Sequence, residues 1–208
     1  MEYKIIVAGI GPGNPDYMLP AAVKAIQQAA VLVGSRRALK DFARPDQATF
    51  PITGDIPGVL NFIKEQCQSC EVVIMVSGDP GYYSLLDALR REFPASAISV
   101  IPGISSVQFA FARLALPWHD ARLLSLHGRR PSDDELRYAP GTILGLLTDT
   151  EYTSRTIPAL LMSLGWPESS EASICARLSY EDETIVRTTL KGAETAKEET
   201  HCIMVVRG

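Results

Sequence analysis

Long hydrophobic runs are missing from this sequence. The longest purely apolar stretches, such as Ala29–Val33 and Ile143–Leu147, fall far short of the roughly 20 residues that a membrane-spanning helix needs. A basic segment leading into an apolar stretch and a cleavage site is missing too, since Tyr3-Lys4 runs straight into Ile5-Ile6-Val7-Ala8. A soluble, cytoplasmic protein without membrane contact is expected. Positive charge is not in excess either: 20 Lys and Arg stand against 24 Asp and Glu, a net charge of −4. No global field favours a nucleic acid, so a polyanionic ligand has to be met by a local cluster of arginines.

Cysteine is sparse, with only Cys67, Cys70, Cys175 and Cys202. Cys67-Gln-Ser-Cys70 has CxxC spacing, but no second CxxC or HxxxH completes a zinc set, and no metal is expected. A redox pair would need its first cysteine at an exposed helix N-terminus, where a thiolate is stabilised. Here the pair closes a helical pattern of Val59, Leu60, Phe62 and Ile63, at the wrong end of the dipole. The thiols read as structural or incidental. A GxxxxGK(S/T) phosphate cradle and a nucleophilic triad are also lacking.

What is present is an ordinary globular composition, 46% hydrophobic and 21% charged over 208 residues, enough for one large domain or two small ones. In the first half, short apolar runs alternate with helical patterns, as in a parallel α/β sheet. Strands are expected at Tyr3–Ala8, Val31–Val33, Glu71–Val76 and Ile98–Ile101. Helices are expected at Pro20–Ala30, Ile56–Gln68, Tyr82–Glu92 and Ile104–Leu114. Leu116-Pro117-Trp118-His119-Asp120 breaks the pattern and sets a boundary between lobes of residues 1–117 and 118–208. Beyond it strands are expected at Leu123–Leu126, Thr142–Leu147, Ala172–Leu178, Thr184–Thr189 and Cys202–Val206, with one helix at Tyr152–Leu164. Ala172–Leu178 and Thr184–Thr189 read as a hairpin. The fold class is therefore α/β in two lobes: a mostly parallel, Rossmann-like sheet first, then a mixed one.

Three loops directly follow strands of the first lobe: Gly9-Ile10-Gly11-Pro12-Gly13, Ser77-Gly78-Asp79-Pro80-Gly81 and Pro102-Gly103-Ile104-Ser105-Ser106. In a parallel sheet all three lie at the carboxyl edge, where ligands of open α/β sheets bind. Their glycines let backbone groups approach a ligand closely. GxGxG in the first loop, and Ser35-Arg36-Arg37 after the second strand, invite a dinucleotide reading. Against it, Gly13 is separated by Asn14–Leu19 from the helix-starting Pro20, and no Asp or Glu ends the second strand. An NADP-dependent oxidoreductase and a non-enzymatic nucleotide-sensing module remain the rival classes.

These loops, together with Ala22-Val23-Lys24-Ala25-Ile26 and Val31-Leu32-Val33-Gly34, resemble the tetrapyrrole methylase family over essentially the whole chain. The resemblance implies two α/β lobes, S-adenosylmethionine in the cleft between them with S-adenosylhomocysteine as product, and a homodimer. It places Gly9, Gly11, Pro12, Gly13, Gly78, Asp79, Pro80, Tyr82, Ser105, Ser106, Leu147, Ala176 and His201 on the cofactor. Within the family, Val33–Leu39, Ser125-Leu126-His127-Gly128-Arg129 and Leu178–Glu183 are most similar to the branch that methylates C5 of the corrin precursor in cobalamin synthesis. The length suits a stand-alone member that leaves C15 methylation and decarboxylation to a separate enzyme. Cys175-Ala176-Arg177-Leu178 departs from the Glu-Asn-Leu of that branch. Members with other tetrapyrrole acceptors are the alternative.

Methyl transfer from a sulfonium asks for positioning and exclusion of water, so the lack of a triad agrees with it. Asp79 is expected to structure its turn and to face the cofactor, while Tyr82 and Tyr83 open a helix at the site's edge. The acceptor carries many carboxylates, which arginine meets bidentately. Arg36, Arg37 and Arg129, read as loop residues, and His127 are the candidate substrate contacts, with His127 also the one candidate for a catalytic proton role.

Overall fold

The computed structural model describes residues 4–208, so the Tyr3 start of the first expected strand lies outside the described residues. The chain forms two compact units, the first ending at Ser105 and the second running from Ser106 to Gly208.

The first unit contains β1 (Ile5–Gly9), α1 (Pro20–Gln28), β2 (Val31–Gly34), α2 (Arg36–Phe42), β3 (Ala48–Pro51), α3 (Ile56–Gln66), β4 (Val72–Val76), α4 (Leu86–Glu92) and β5 (Ile98–Ile101). All its strand pairs are parallel, in the order β3-β2-β4-β1-β5. Every residue of β1, β2 and β4 is buried, because helices cover both faces. That is why these strands read as unbroken apolar runs. On one face Ile5, Val7, Val72 and Ile74 pack with Ile63 of α3 and Leu89 of α4. On the other, Ile6, Leu32, Val73 and Met75 pack with Ala22 and Ile26 of α1. Each side chain of this size contributes about 1.5–3 kcal/mol when fully buried.

Local chemistry explains where the expected outline changes. Arg36 and Arg37 are not loop residues: they open α2, because the Ser35 hydroxyl accepts from the Ala38 N–H at 3.1 Å and caps the helix. Tyr82 and Tyr83 do not open a helix. Tyr83 is left-handed (φ 50°), and α4 starts only at Leu86, whose N–H is taken by the Ser84 hydroxyl at 3.1 Å.

The second unit contains α5 (Ser106–Leu114), β6 (Arg122–Ser125), α6 (Asp133–Leu136), β7 (Ile143–Leu147), α7 (Thr156–Ser163), β8 (Glu171–Ala176), β9 (Thr184–Thr189), α8 (Leu190–Ala193) and β10 (Ile203–Arg207). Its sheet has the order β6-β7-β10-β8-β9, parallel only between β6 and β7. Leu144, Leu146, Ile174, Met204 and Val206 face a core shared with Ile157 and Leu161 of α7 and with Trp166. The opposite face receives α5. A Cβ on Gly145 would lie 2.9 Å from Phe111 and 3.2 Å from Val107, so glycine is what lets this helix lie close on β7. That packing draws α5 into the second unit and moves the boundary ahead of Pro117, to Ser105–Ser106. No helix among the described residues is long and apolar enough to cross a membrane.

Candidate functional site

In the first unit the three glycine loops meet at the carboxyl edge and are bonded to each other. Gly11 and Gly78 form an antiparallel bridge, with Gly78 N–H donating to Gly11 at 2.8 Å and Gly11 N–H to Gly78 at 3.3 Å. Gly11 (φ 71°) and Gly78 (φ 70°) hold a backbone conformation that side chains disfavour. Gly9 and Gly103 are packed backbone to backbone: a Cβ on Gly9 would stand 2.7 Å from both Gly103 N and Gly78 O. These two glycines therefore serve the close approach of loop to loop.

Asp79 completes the edge. Its Oδ1 accepts from Gly81 N–H at 2.8 Å within its own turn, and its Oδ2 accepts from Gly103 N–H at 3.0 Å across to the loop after β5. The expected turn former is thus also a clamp between two loops. Pro80 is buried, and Pro12 and Gly13 are half-buried. The Tyr82 hydroxyl is buried with no hydrogen-bond partner among the described residues. Burial, with Tyr83 beside it, pushes its pKa well above the ordinary phenol range, so it stays a protonated donor. Ser105 is buried at the end of the third loop. Arg36 and Arg37 are exposed in the first turn of α2, directly after β2 and so at the same edge of the parallel sheet.

In the second unit, the loops after β6 and β7 and the chain before β10 come together. The His127 and His201 rings stack edge to face with centroids 5.5 Å apart, and both residues are exposed. His127 Nδ1 lies 3.4 Å from the Thr148 carbonyl. Gly128 N–H donates to Asp149 Oδ2 at 2.8 Å. Asp149 Oδ1 accepts from Glu151 N–H at 2.8 Å and Tyr152 N–H at 2.7 Å. The bond from Gly128, then that from Tyr152, hold this carboxyl below the ordinary carboxylate range. Asp149 escaped the sequence reading, although it follows a strand just as Asp79 does. What singles it out is its Gly128 partner, which comes from the neighbouring strand's loop.

Arg129 is exposed immediately after Gly128. Leu147 ends β7, and its carbonyl accepts from Leu126 N–H at 2.9 Å. Ala176 ends β8 with its side chain in the core, leaving only its backbone for a ligand. The turn after β8 is tied to α5: Arg113 Nε meets Glu183 Oε1 at 2.7 Å, while Glu183 Oε2 accepts from Ser179 N–H at 2.7 Å. Apart from Ala115, the non-glycine residues with positive φ (Tyr83, Arg177, Ser179 and His201) all sit in these loops. Such backbone is kept where the surroundings over-determine it, as at functional sites.

Comparison with known proteins agrees with this architecture. The profile of the Tetrapyrrole (Corrin/Porphyrin) Methylases matches residues 4–194. The cobalt-precorrin-7 C(5)-methyltransferase of Salmonella typhimurium is 32% identical over 161 residues, 77% of this chain and 79% of its own length. The crystal structure of the methyltransferase CobJ superposes with a TM-score of 0.81 at 21% identity, over 98% of this chain and 93% of that one. That of uroporphyrin-III C-methyl transferase from Thermus thermophilus, complexed with S-adenyl homocysteine, has a TM-score of 0.73 at 20% identity, over 98% and 91% of the two chains. Fold, loop edge and sequence converge, and the chain belongs to the tetrapyrrole (corrin/porphyrin) methylase family.

Proposed function

We propose that the chain transfers a methyl group from S-adenosylmethionine to C5 of a precorrin macrocycle, cobalt-precorrin-7 or its metal-free equivalent. The observation that carries this reading is the laced glycine edge, in a chain 32% identical to an enzyme named for that reaction.

The residues present fit the cofactor. Glycine backbone at positive φ in Gly11, Gly13 and Gly78, and the buried, unpartnered Tyr82 hydroxyl, suit a ligand recognised through its adenine edge and amino-acid end. The S-adenyl homocysteine complex of the Thermus structure supports the same cofactor class. On this reading the loops of Gly9–Gly13, Gly78–Pro80 and Ser105–Ser106 hold the donor, and the candidate donor contacts within the second unit are the Leu147 and Ala176 backbones and His201. When bound, the sulfonium supplies an already activated methyl group and leaves as a neutral thioether. What the chain adds is orientation, reacting atoms held about 3–3.5 Å apart, and the exclusion of water.

Arg36 and Arg37 in the first unit and Arg129 in the second are the candidate partners of the acceptor's carboxylates, and His127, in the same loop as Arg129, is a candidate hydrogen-bond donor to it. A cytoplasmic homodimer, with C15 chemistry left to a separate enzyme, is part of the same proposal. Mass spectrometry of a reaction with cobalt-precorrin-7 tests it. One methyl added at C5 is the expected result. A methyl at another carbon assigns a different acceptor within the family, and NADPH binding without any response to S-adenosylhomocysteine overturns the reading altogether.

A further inference from the structure

We propose that Asp149 is the positioning residue of the acceptor loop, fixing the His127–Arg129 segment so that Arg129 is presented to the macrocycle. This rests on the functional reading above, in which that segment serves the tetrapyrrole.

The loop leaves β6 attached to the neighbouring β7 loop at successive residues. Leu126 N–H bonds the Leu147 carbonyl at 2.9 Å, the His127 ring lies against the Thr148 carbonyl, and Gly128 N–H bonds Asp149 Oδ2 at 2.8 Å. Two residues on, Arg130 bonds Asp133 at 2.5 Å. Arg129 therefore follows directly on a residue whose backbone the Asp149 carboxylate fixes. Gly128 is left-handed (φ 64°) with open space where a Cβ would stand, so the carboxylate bond and not steric confinement holds this turn.

A carboxylate is required at position 149 because three N–H groups converge on it from two sides. Oδ1 serves Glu151 and Tyr152 within the β7 turn, and Oδ2 serves Gly128 across the strands. With both oxygens occupied by backbone donors, the negative charge is compensated locally, next to a loop meant for an anionic ligand.

The two oxygens separate the structural role from the positioning role. Asp149→Asn keeps Oδ1 for the β7 turn and sets an NH2 against Gly128 N–H, breaking only the link between loops. It should raise the KM for cobalt-precorrin-7 about tenfold, with S-adenosylhomocysteine affinity within twofold of wild type and the melting temperature nearly unchanged. Combined with Arg129→Ala, it should add little beyond Arg129→Ala alone, since the group being aimed is gone. Gly128→Ala attacks the same anchor by penalising its left-handed backbone, and should reproduce the KM effect if Asp149→Asn folds poorly. A wild-type KM in Asp149→Asn and Gly128→Ala, with or without a lower melting temperature, overturns the proposal when Arg129→Ala does raise KM. If Arg129→Ala leaves KM unchanged, the functional reading of this loop falls, and the proposal with it.

Discussion

The loops of the first lobe pack main chain against main chain, whereas those of the second carry exposed side chains. At the carboxyl edge of the parallel sheet, Gly9, Gly78 and Gly103 touch directly and Gly11 pairs with Gly78, a tight surface of main-chain atoms. In the second lobe the loop after β6 carries His127 and Arg129 at exposed positions, with open space where a Cβ on the intervening Gly128 would stand. One aspartate does the same job in each. Asp79 joins the loops after β4 and β5, and Asp149 joins those after β7 and β6. The difference suits two ligands: a largely neutral one read by main-chain atoms, and a polycarboxylate read by cations. A protein of net charge −4 has to concentrate positive charge for the second of these.

The largest effect should come from breaking the backbone contact of the first lobe. Gly9→Ala drives a methyl against Gly103 N and Gly78 O, neither of which can rotate away. The cost should reach or exceed the upper end of the roughly 1–3 kcal/mol usual for overpacking. Thermal melting should show that loss, and calorimetry should find no S-adenosylhomocysteine binding. Asp79→Ala comes next. It strips Gly81 and Gly103 N–H groups of their acceptor, at about 1–2 kcal/mol, with weakened cofactor binding in a chain that still folds. Wild-type cofactor affinity in that variant would make Asp79 a turn former alone.

The second lobe should answer differently. Arg129→Ala should raise the KM for the tetrapyrrole about tenfold, about 1.4 kcal/mol, while cofactor affinity stays near wild type. Loss of cofactor affinity instead would mean the loops serve the opposite ligands.

A smaller contrast lies in the buried thiols. Burial pushes Cys175 up to about 12 and Cys202 to about 11 in the second lobe, and Cys67 to about 11 in the first. A thiol with a raised folded pKa stabilises the fold fully below the unfolded value near 9, and that contribution is lost as pH climbs from there through the folded value. Urea midpoints followed by the buried Trp166 should be flat from pH 7 to 8.5 and fall above about pH 9. Cys175→Ala should flatten part of that slope.

Much of the first lobe was legible because its strands are buried on both faces and its loops carry their own punctuation. Gly11, Gly78 and Asp79 read as one loop edge once strands are seen to precede them, and the structure bonds those loops together. Less legible were features decided by a single local bond or by a distant partner. α2 depends on the Ser35 cap at the head of a charged, loop-like segment, and β3 is a half-exposed edge strand with little apolar pattern. Tyr82 and Tyr83 fit a helical pattern that the Ser84 hydroxyl and a left-handed Tyr83 interrupt. α5 reads as the last helix of the first lobe until Gly145 is seen to admit it to the second sheet. Asp149 could not be recognised from its neighbours, because the group it holds is brought to it by strand pairing between β6 and β7.

Hydrogen–deuterium exchange read loop by loop tests the division of labour most directly. S-adenosylhomocysteine alone should slow exchange across residues 9–13, 77–81 and 102–106, and leave residues 126–130 close to the free protein. Adding cobalt-precorrin-7 should then protect residues 126–130. Protection of residues 126–130 by S-adenosylhomocysteine alone, with the glycine loops responding only to the tetrapyrrole, would contradict the account.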